Sequence, residues 1–191
     1  QTDLLHGLRR RPRRQGKDRA PDGGAAQDDP RTDRRRQVRL SPARLFLIDG
    51  NSLLYRSYYA VRGLANSGGF PTGAIYGFLA SLRKLLDQEK PDYLGVVFDV
   101  KGPTVRHEAY GEYKAQRKPM PDDLAEQVPK LKEVLDALRI ATAEFERYEA
   151  DDVLATLAVR AAARDIRTVV VTTDKDLLQI IDRTPEPKTL V

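Results

Sequence analysis

The sequence predicts an α/β fold with a mostly parallel central sheet flanked by helices. Three short apolar runs, each followed directly or closely by an aspartate, occupy residues 45–48, 93–98 and 168–172. Runs of this length that end in turn residues are typical of buried strands in a parallel sheet. Stretches with helical spacing of apolar residues separate the runs. Alternation of strands and helices along a chain is typical of α/β domains.

Helices are predicted over residues 73–88, 122–138 and 151–164, with another starting soon after the first strand. Pro129 should start a new helix or kink the middle one, because proline lacks the N–H that an interior turn needs. Gly68, Gly69 and Pro71 predict a loop before residue 73. Tyr58 and Tyr59, near the start of the chain's first helix, are expected to pack in the core.

The chain is predicted to hold one folded domain between two irregular ends. Residues 1–43 are rich in arginine and have few aliphatic side chains, so we expect a disordered tail. Residues 44–183 are expected to fold. Residues 184–191 carry Pro185 and Pro187 and are expected to be unstructured.

The formal net charge of +5 comes from the amino-terminal tail. Residues 1–42 hold 12 basic and 6 acidic side chains, which leaves 21 basic and 22 acidic residues in the remainder. The arginine clusters of the tail can bind phosphates non-specifically, or the tail can simply be solvated. The whole-chain charge therefore does not identify the folded part as a nucleic-acid binder.

Composition limits the kind of site that the domain can hold. The chain has no cysteine, which excludes disulfides and thiolate metal sites. Its apolar runs are shorter than the roughly 20 residues of a membrane-spanning helix. We expect a soluble, cytoplasmic monomer that is associated with the nucleoid.

Acidic residues gather where the predicted strands and one helix meet the same edge of the sheet. Taken singly, an aspartate after a strand or at a helix start is commonly a turn or capping residue. Taken together, many carboxylates at one sheet edge repel each other and require cations or protons. The acids are Asp49, Asp99, Glu149, Asp151, Asp152, Asp174 and Asp176.

Oxygen ligands of this kind favour Mg²⁺ or Mn²⁺ over Zn²⁺. Two such ions can stabilise the attacking and leaving oxygens of a displacement at phosphorus. Phosphodiester hydrolysis is therefore the reaction class that the pattern favours, and it needs no serine, cysteine or histidine nucleophile.

Several spaced motifs carry a family resemblance that runs from about residue 44 to residue 182. The motifs, in order, are Asp49-Gly50-Asn51 followed by Tyr55-Arg56, Phe98-Asp99, Arg106-His107-Glu108, Tyr113-Lys114 with Arg117, Tyr148-Glu149-Ala150-Asp151-Asp152, and Thr173-Asp174-Lys175-Asp176. With them the sequence resembles the 5′-to-3′ exonuclease domain of bacterial DNA polymerase I, within the wider flap-endonuclease family. The resemblance implies a PIN-like, resolvase-like fold and a mechanism with two divalent ions. It also implies that the seven acids named above are the metal-binding acids.

The resemblance further implies residues that handle DNA. Lys114 and Arg117 match positions that contact the scissile phosphate, and an electrostatic catalytic role is expected for both. The segment around them is basic and contains tyrosines, which suits single-stranded DNA, although it can also be an ordinary solvated loop. The predicted DNA-binding residues are Tyr55, Arg56, Arg106, Tyr113, Lys114 and Arg117.

The sequence leaves three functional hypotheses. The first is a Mg²⁺-dependent 5′ nuclease that acts on DNA flaps, nicks and single-stranded 5′ ends beside a polymerase domain, in replication and repair. Since the family continues into a further aspartate pair and a helix-turn-helix element, we expect this chain to be a fragment that lacks both. The second hypothesis is a DNA-binding module without catalysis. The third is a PIN-like ribonuclease.

Overall fold

The computed structural model describes residues 42–100, 102, 119–182 and 187–191. The tail expected over residues 1–43 thus lies almost entirely outside the described residues. So do four predicted DNA-handling residues, Arg106, Tyr113, Lys114 and Arg117.

Strands and helices alternate along the described chain, as the apolar pattern predicts. A 3₁₀ helix at Lys175–Ile180 follows the fourth strand. The strands are β1 (Arg44–Asp49), β2 (Tyr93–Val97), β3 (Ala141–Ala143), β4 (Arg167–Val171) and β5 (Thr189–Leu190), and the α-helices are α1 (Gly50–Ala60), α2 (Gly73–Glu89), α3 (Asp122–Ala125), α4 (Gln127–Ala137) and α5 (Ala150–Ala162).

The five strands form one sheet in the order β3-β2-β1-β4-β5, and every pairing is parallel. Ile48 of β1 aligns with Val96 of β2 on one side and with Val171 of β4 on the other. The chain builds β1, β2 and β3 outward in one direction and then returns to place β4 on the opposite side of β1. The sheet therefore has its topological switch point between β1 and β4, at the position where ligands bind in open α/β sheets.

Each face of the sheet is covered by a separate hydrophobic cluster. On one face Leu47 of β1 and Val170 of β4 pack with Leu154 and Leu157 of α5. On the other face the side chains of β1 and β2 pack with helices α1 to α4, and Phe78 of α2 is fully buried there. Burial on both faces explains why the central strands are continuous apolar runs.

Pro129 starts a new helix, one of the two outcomes that its sequence position predicted. Helix α3 ends at Ala125, and Pro129 is the third residue of α4. In the first turn of a helix the missing N–H has no intrahelical partner to lose. Among the described residues, no helix combines the length and the apolar character needed to cross a membrane.

Three details correct the sequence-based expectations. The expected unstructured end, residues 184–191, contains β5, because the Thr168 N–H donates to the Lys188 carbonyl and β5 pairs with β4 beyond the prolines. Strand β3, which no prediction included, extends the other side of the sheet. Tyr59 does not pack in the core: its side chain is 57% exposed, whereas Tyr58 is half-buried.

Candidate active site

The predicted acids lie at the carboxyl edge of the sheet, on both sides of its switch point. Asp49 is the last residue of β1, Asp99 follows β2, and Asp174 follows β4. Glu149 immediately precedes α5, whose amino terminus reaches the same edge, because the Ala150 N–H donates to Asp99. Parallel pairing of the strands thus brings together acids that are far apart in the sequence.

Asp49 joins three elements through its two carboxylate oxygens. Oδ1 accepts a hydrogen bond from the Ser52 N–H at 2.9 Å, so Asp49 caps α1. Oδ2 accepts from the Thr172 hydroxyl, 2.8 Å away at the end of β4. The capping role that an aspartate commonly has at this position is therefore present, and the second oxygen reaches across the switch point.

Asp99 connects β2 with two helices. Its Oδ2 accepts a hydrogen bond of 2.7 Å from Asn51 Nδ2 in the first turn of α1. Its Oδ1 accepts one of 2.7 Å from the backbone N–H of Ala150 at the start of α5. These bonds hold the carboxylate beside the amino terminus of α5, which favours negative charge.

The start of α5 contributes the Glu149, Asp151 and Asp152 carboxylates. Glu149 is only 5% exposed, unusual for a glutamate. Asp151 accepts a hydrogen bond from the Asp152 N–H at 2.8 Å. Acids in the first turn of a helix interact favourably with its dipole, so α5 partly offsets the charge that it brings to this edge.

The turn after β4 carries Asp174 and Asp176 and is bonded to α1. Asp174 accepts from the Asp176 N–H at 2.9 Å and thereby caps the 3₁₀ helix. The hydroxyls of Ser52 and Thr173 are 2.5 Å apart, and the Thr173 N–H donates to Ser52 Oγ at 3.1 Å. The turn is thus fixed to the helix that follows Asp49.

The electrostatics of Asp49 reflect its crowded position. Burial raises the pKa of Asp49, and the nearby charges of Asp99 and Asp174 raise it further. The hydrogen bonds from Ser52 and Thr172 lower it, without cancelling the increase. The charged form of Asp49 therefore costs free energy in this setting, and a bound cation would reduce that cost.

The donor set fits a hard divalent cation by its chemistry. It consists of carboxylate oxygens that repel one another around a partly buried acid, and oxygen is the ligand that Mg²⁺ and Mn²⁺ prefer. Within the described ranges, no three acidic or histidine side chains are already arranged as a metal-binding group.

The structure adds four residues that the predicted site did not include. Asn51, Ser52, Thr172 and Thr173 hold the acids or join their loops. In the sequence, Asn51 and Ser52 closely follow Asp49, and Thr172 and Thr173 directly precede Asp174. Their position at the ends of strands is the signal that could have identified them. Two predicted DNA-binding residues lie on α1: Tyr55 is half-buried against the core, and Arg56 is exposed.

Comparison with known proteins gives the same family as the motifs. The family described as "5′-3′ exonuclease, N-terminal resolvase-like domain" matches residues 44–188. The DNA polymerase I of Caldicellulosiruptor bescii is 47% identical over 140 residues, which cover 73% of this chain and 16% of that protein. A 5′-3′ exonuclease of Aquifex aeolicus is 45% identical over 137 residues, 72% of this chain and 47% of that protein. The chain therefore spans less than half the length of either relative.

The fold is also found among solved structures. The T5 D15 protein, co-crystallised with metal ions, aligns with a TM-score of 0.56 and 21% identity over 76% of this chain and 52% of that one. At this identity the likeness concerns the fold, and it confirms the predicted PIN-like arrangement. On the match over residues 44–188, this chain belongs to the family of 5′-3′ exonuclease N-terminal resolvase-like domains.

Proposed function

We propose that this chain provides the metal-binding part of a 5′ nuclease that hydrolyses DNA phosphodiesters. The main support for the proposal is that two carboxylates at the sheet edge each accept two hydrogen bonds. Asp49 is held by Ser52 and Thr172, and Asp99 by Asn51 and Ala150. Family membership and the relative named as a 5′-3′ exonuclease support the same reaction.

One or two divalent ions, Mg²⁺ or Mn²⁺, are proposed as cofactors. When bound, such ions activate water and offset negative charge on the phosphoryl oxygens. The T5 D15 protein, which shares the fold, was crystallised with metal ions. The proposed ligands are Asp49, Asp99, Glu149, Asp151, Asp152, Asp174 and Asp176.

The protein's own part in the reaction is to hold its acids in place before the substrate arrives. A carboxylate that accepts two hydrogen bonds loses rotational freedom, so Asp49 and Asp99 are oriented in advance. The helix α5 directs its amino terminus at Asp99 and favours the negative charge of that carboxylate. Such preorganisation lowers the reorganisation needed at the reacting phosphate.

We further propose that Lys114 and Arg117 bind the scissile phosphate and stabilise charge on it. Tyr55, Arg56, Arg106 and Tyr113 are proposed to contact the DNA strand. The support for these roles is the motif order within the family and the suitability of cations and rings for nucleic acid.

The proposed substrates are DNA flaps, nicks and single-stranded 5′ ends, and the proposed setting is the cytoplasm, at the nucleoid. The named polymerase relative supports a polymerase domain in the complete protein. We propose that the chain itself acts as a monomer.

The test is cleavage of a 5′-labelled flap DNA by the purified chain in Mg²⁺ or Mn²⁺. We expect metal-dependent cleavage that Asp49→Asn reduces to the level seen in EDTA. Asp87→Asn, on the exposed side of α2, is the matched control and should keep wild-type activity. Equal cleavage by wild type and Asp49→Asn would reject the assignment.

The same assay separates the alternatives. Binding of the flap without turnover by a folded wild-type chain would indicate the DNA-binding module. Faster cleavage of an RNA strand of the same sequence would indicate the ribonuclease.

A further inference from the structure

The hydroxyl of Thr172 bonds two acidic segments at once. It donates to Asp49 Oδ2 at 2.8 Å and accepts from the Asp174 N–H at 3.0 Å. The hydroxyl oxygen of Thr172 is thus a donor in the first bond and an acceptor in the second. One side chain thus connects the acid that ends β1 with the turn that carries Asp174.

The contact between Thr172 and Asp49 crosses the switch point of the sheet. Asp49 and Thr172 lie on opposite sides of the switch point, at the ends of adjacent strands β1 and β4. The register of these strands sets the backbones side by side, but it does not fix how a carboxylate beyond the strand end is rotated. The hydrogen bond from Thr172 restricts that rotation for Asp49. The Asp174 N–H donates to the same hydroxyl oxygen of Thr172, so the turn is held to it as well.

A second link between Asp49 and the turn runs through the backbone and hydroxyl of Ser52. The Ser52 N–H fixes the other oxygen of Asp49, but that contact lies within the helix cap itself. The Ser52 and Thr173 hydroxyls join the turn to α1 without touching Asp49. Thr172 differs in that one side-chain atom, its Oγ1, bonds both the Asp49 carboxylate and the Asp174 N–H directly.

We propose that Thr172 is a positioning residue that orients Asp49 relative to Asp174 for binding of a divalent cation. This inference rests on the proposed function. Thr172 is not itself a ligand in the proposal. Its effect passes through the carboxylate that it holds, in the way that hydrogen-bonding partners of metal ligands tune metal affinity.

The test measures Mn²⁺ binding to the purified chain by electron paramagnetic resonance, with circular dichroism to verify the fold. Thr172→Val keeps the shape and removes the hydroxyl. Thr172→Ala removes it without placing a methyl group against Asp49, and Thr172→Ser restores it. Thr168→Val is the matched control, since Thr168 is a buried residue of β4, the strand that Thr172 follows, and lies outside the acidic edge.

We expect Thr172→Val and Thr172→Ala to weaken Mn²⁺ binding by about tenfold or more, the usual range for lost partners of metal ligands. Thr172→Ser and Thr168→Val should bind as wild type does. A role confined to the turn would lower the melting temperature and leave the Mn²⁺ dissociation constant unchanged.

The outcomes separate this inference from the proposed function. If Asp49→Asn loses Mn²⁺ while both hydroxyl-free variants bind at wild-type strength, the role of Thr172 is wrong and the metal centre stands. If the wild-type chain binds no Mn²⁺, or Asp49→Asn binds it equally well, both proposals are wrong.

Discussion

The ring of Phe98 lies directly against Gly50. A Cβ atom added at Gly50 would be 2.6 Å from Cδ1 and from Cε1 of that ring, closer than real contacts allow. The ring cannot easily retreat, because it is 2% exposed and stacks on Phe78 with 6.4 Å between ring centroids. Gly50 and Phe98 each adjoin an acid of the site, so this packing joins the two segments that carry Asp49 and Asp99.

Gly50→Ala should therefore destabilise the protein and reduce cleavage. Alanine is favoured over glycine inside a helix by about 1 kcal/mol. Overpacking a filled core costs about 1–3 kcal/mol, so the steric cost should win. Urea unfolding measures the balance, with Gly68→Ala as the control because a Cβ atom added there would lie 3.4 Å from Asn66 Oδ1, an ordinary contact distance. An increase in stability for Gly50→Ala would contradict this account.

Asp49→Asn should stabilise the metal-free protein at neutral pH. Because the folded-state pKa of Asp49 is raised, its contribution to stability is present at acid pH and is lost as pH rises through the folded pKa. Asparagine does not ionise, so Asp49→Asn avoids this loss of stability at neutral pH. Its higher melting temperature relative to wild type should therefore disappear at acid pH. Melting temperatures in EDTA at several pH values test this.

With saturating Mg²⁺ the order should reverse, because only the wild type gains stability from the ion. The exposed Asp87→Asn should shift little in either condition. A melting temperature of Asp49→Asn that stays below that of wild type in EDTA at neutral pH would contradict this prediction.

Thr168→Val should raise stability. Thr168 is fully buried on β4, and its Oγ1 has no hydrogen-bond partner among the described residues. An unpaired buried hydroxyl costs about 1–3 kcal/mol, and valine keeps the shape without it. Chemical denaturation should show a gain of about 1 kcal/mol. A loss of stability would mean that the hydroxyl is hydrogen-bonded in solution.

Gln127→Met should destabilise the domain by about 2 kcal/mol, because it leaves buried backbone donors without a partner. Gln127 is 1% exposed, and its Oε1 accepts from the N–H groups of Ala74 and Ile75 at the start of α2. The same change at Gln88, an exposed residue of α2, is the control. Equal unfolding midpoints for the two variants would contradict the capping role.

The sequence predicted the central strands because their side chains are buried on both faces and read as apolar runs. Strand β3 has the sequence Ala-Thr-Ala with an exposed centre, and β5 has two residues, so neither gives such a signal. Tyr59 has the same local spacing as a packing tyrosine, and only the position of α1 decides that it faces solvent.

The site was predictable as a set of acids and not as a network. Strand ends in a parallel sheet meet at one edge, which is enough to group Asp49, Asp99 and Asp174. Their partners depend on tertiary contacts: Asn51 is 48 positions from Asp99, and Thr172 is 123 positions from Asp49. No local pattern specifies contacts over such separations.

The most direct test of the central claim is an anomalous difference map from crystals of the chain soaked in Mn²⁺. We predict at least one peak at the carboxyl edge of the sheet, about 2 Å from carboxylate oxygens that include Asp49 or Asp99. Crystals of Asp49→Asn, soaked in the same way, should show a weaker peak or none. A fully occupied Mn²⁺ site elsewhere, with none beside Asp49 and Asp99, would contradict the claim that this edge is a metal centre.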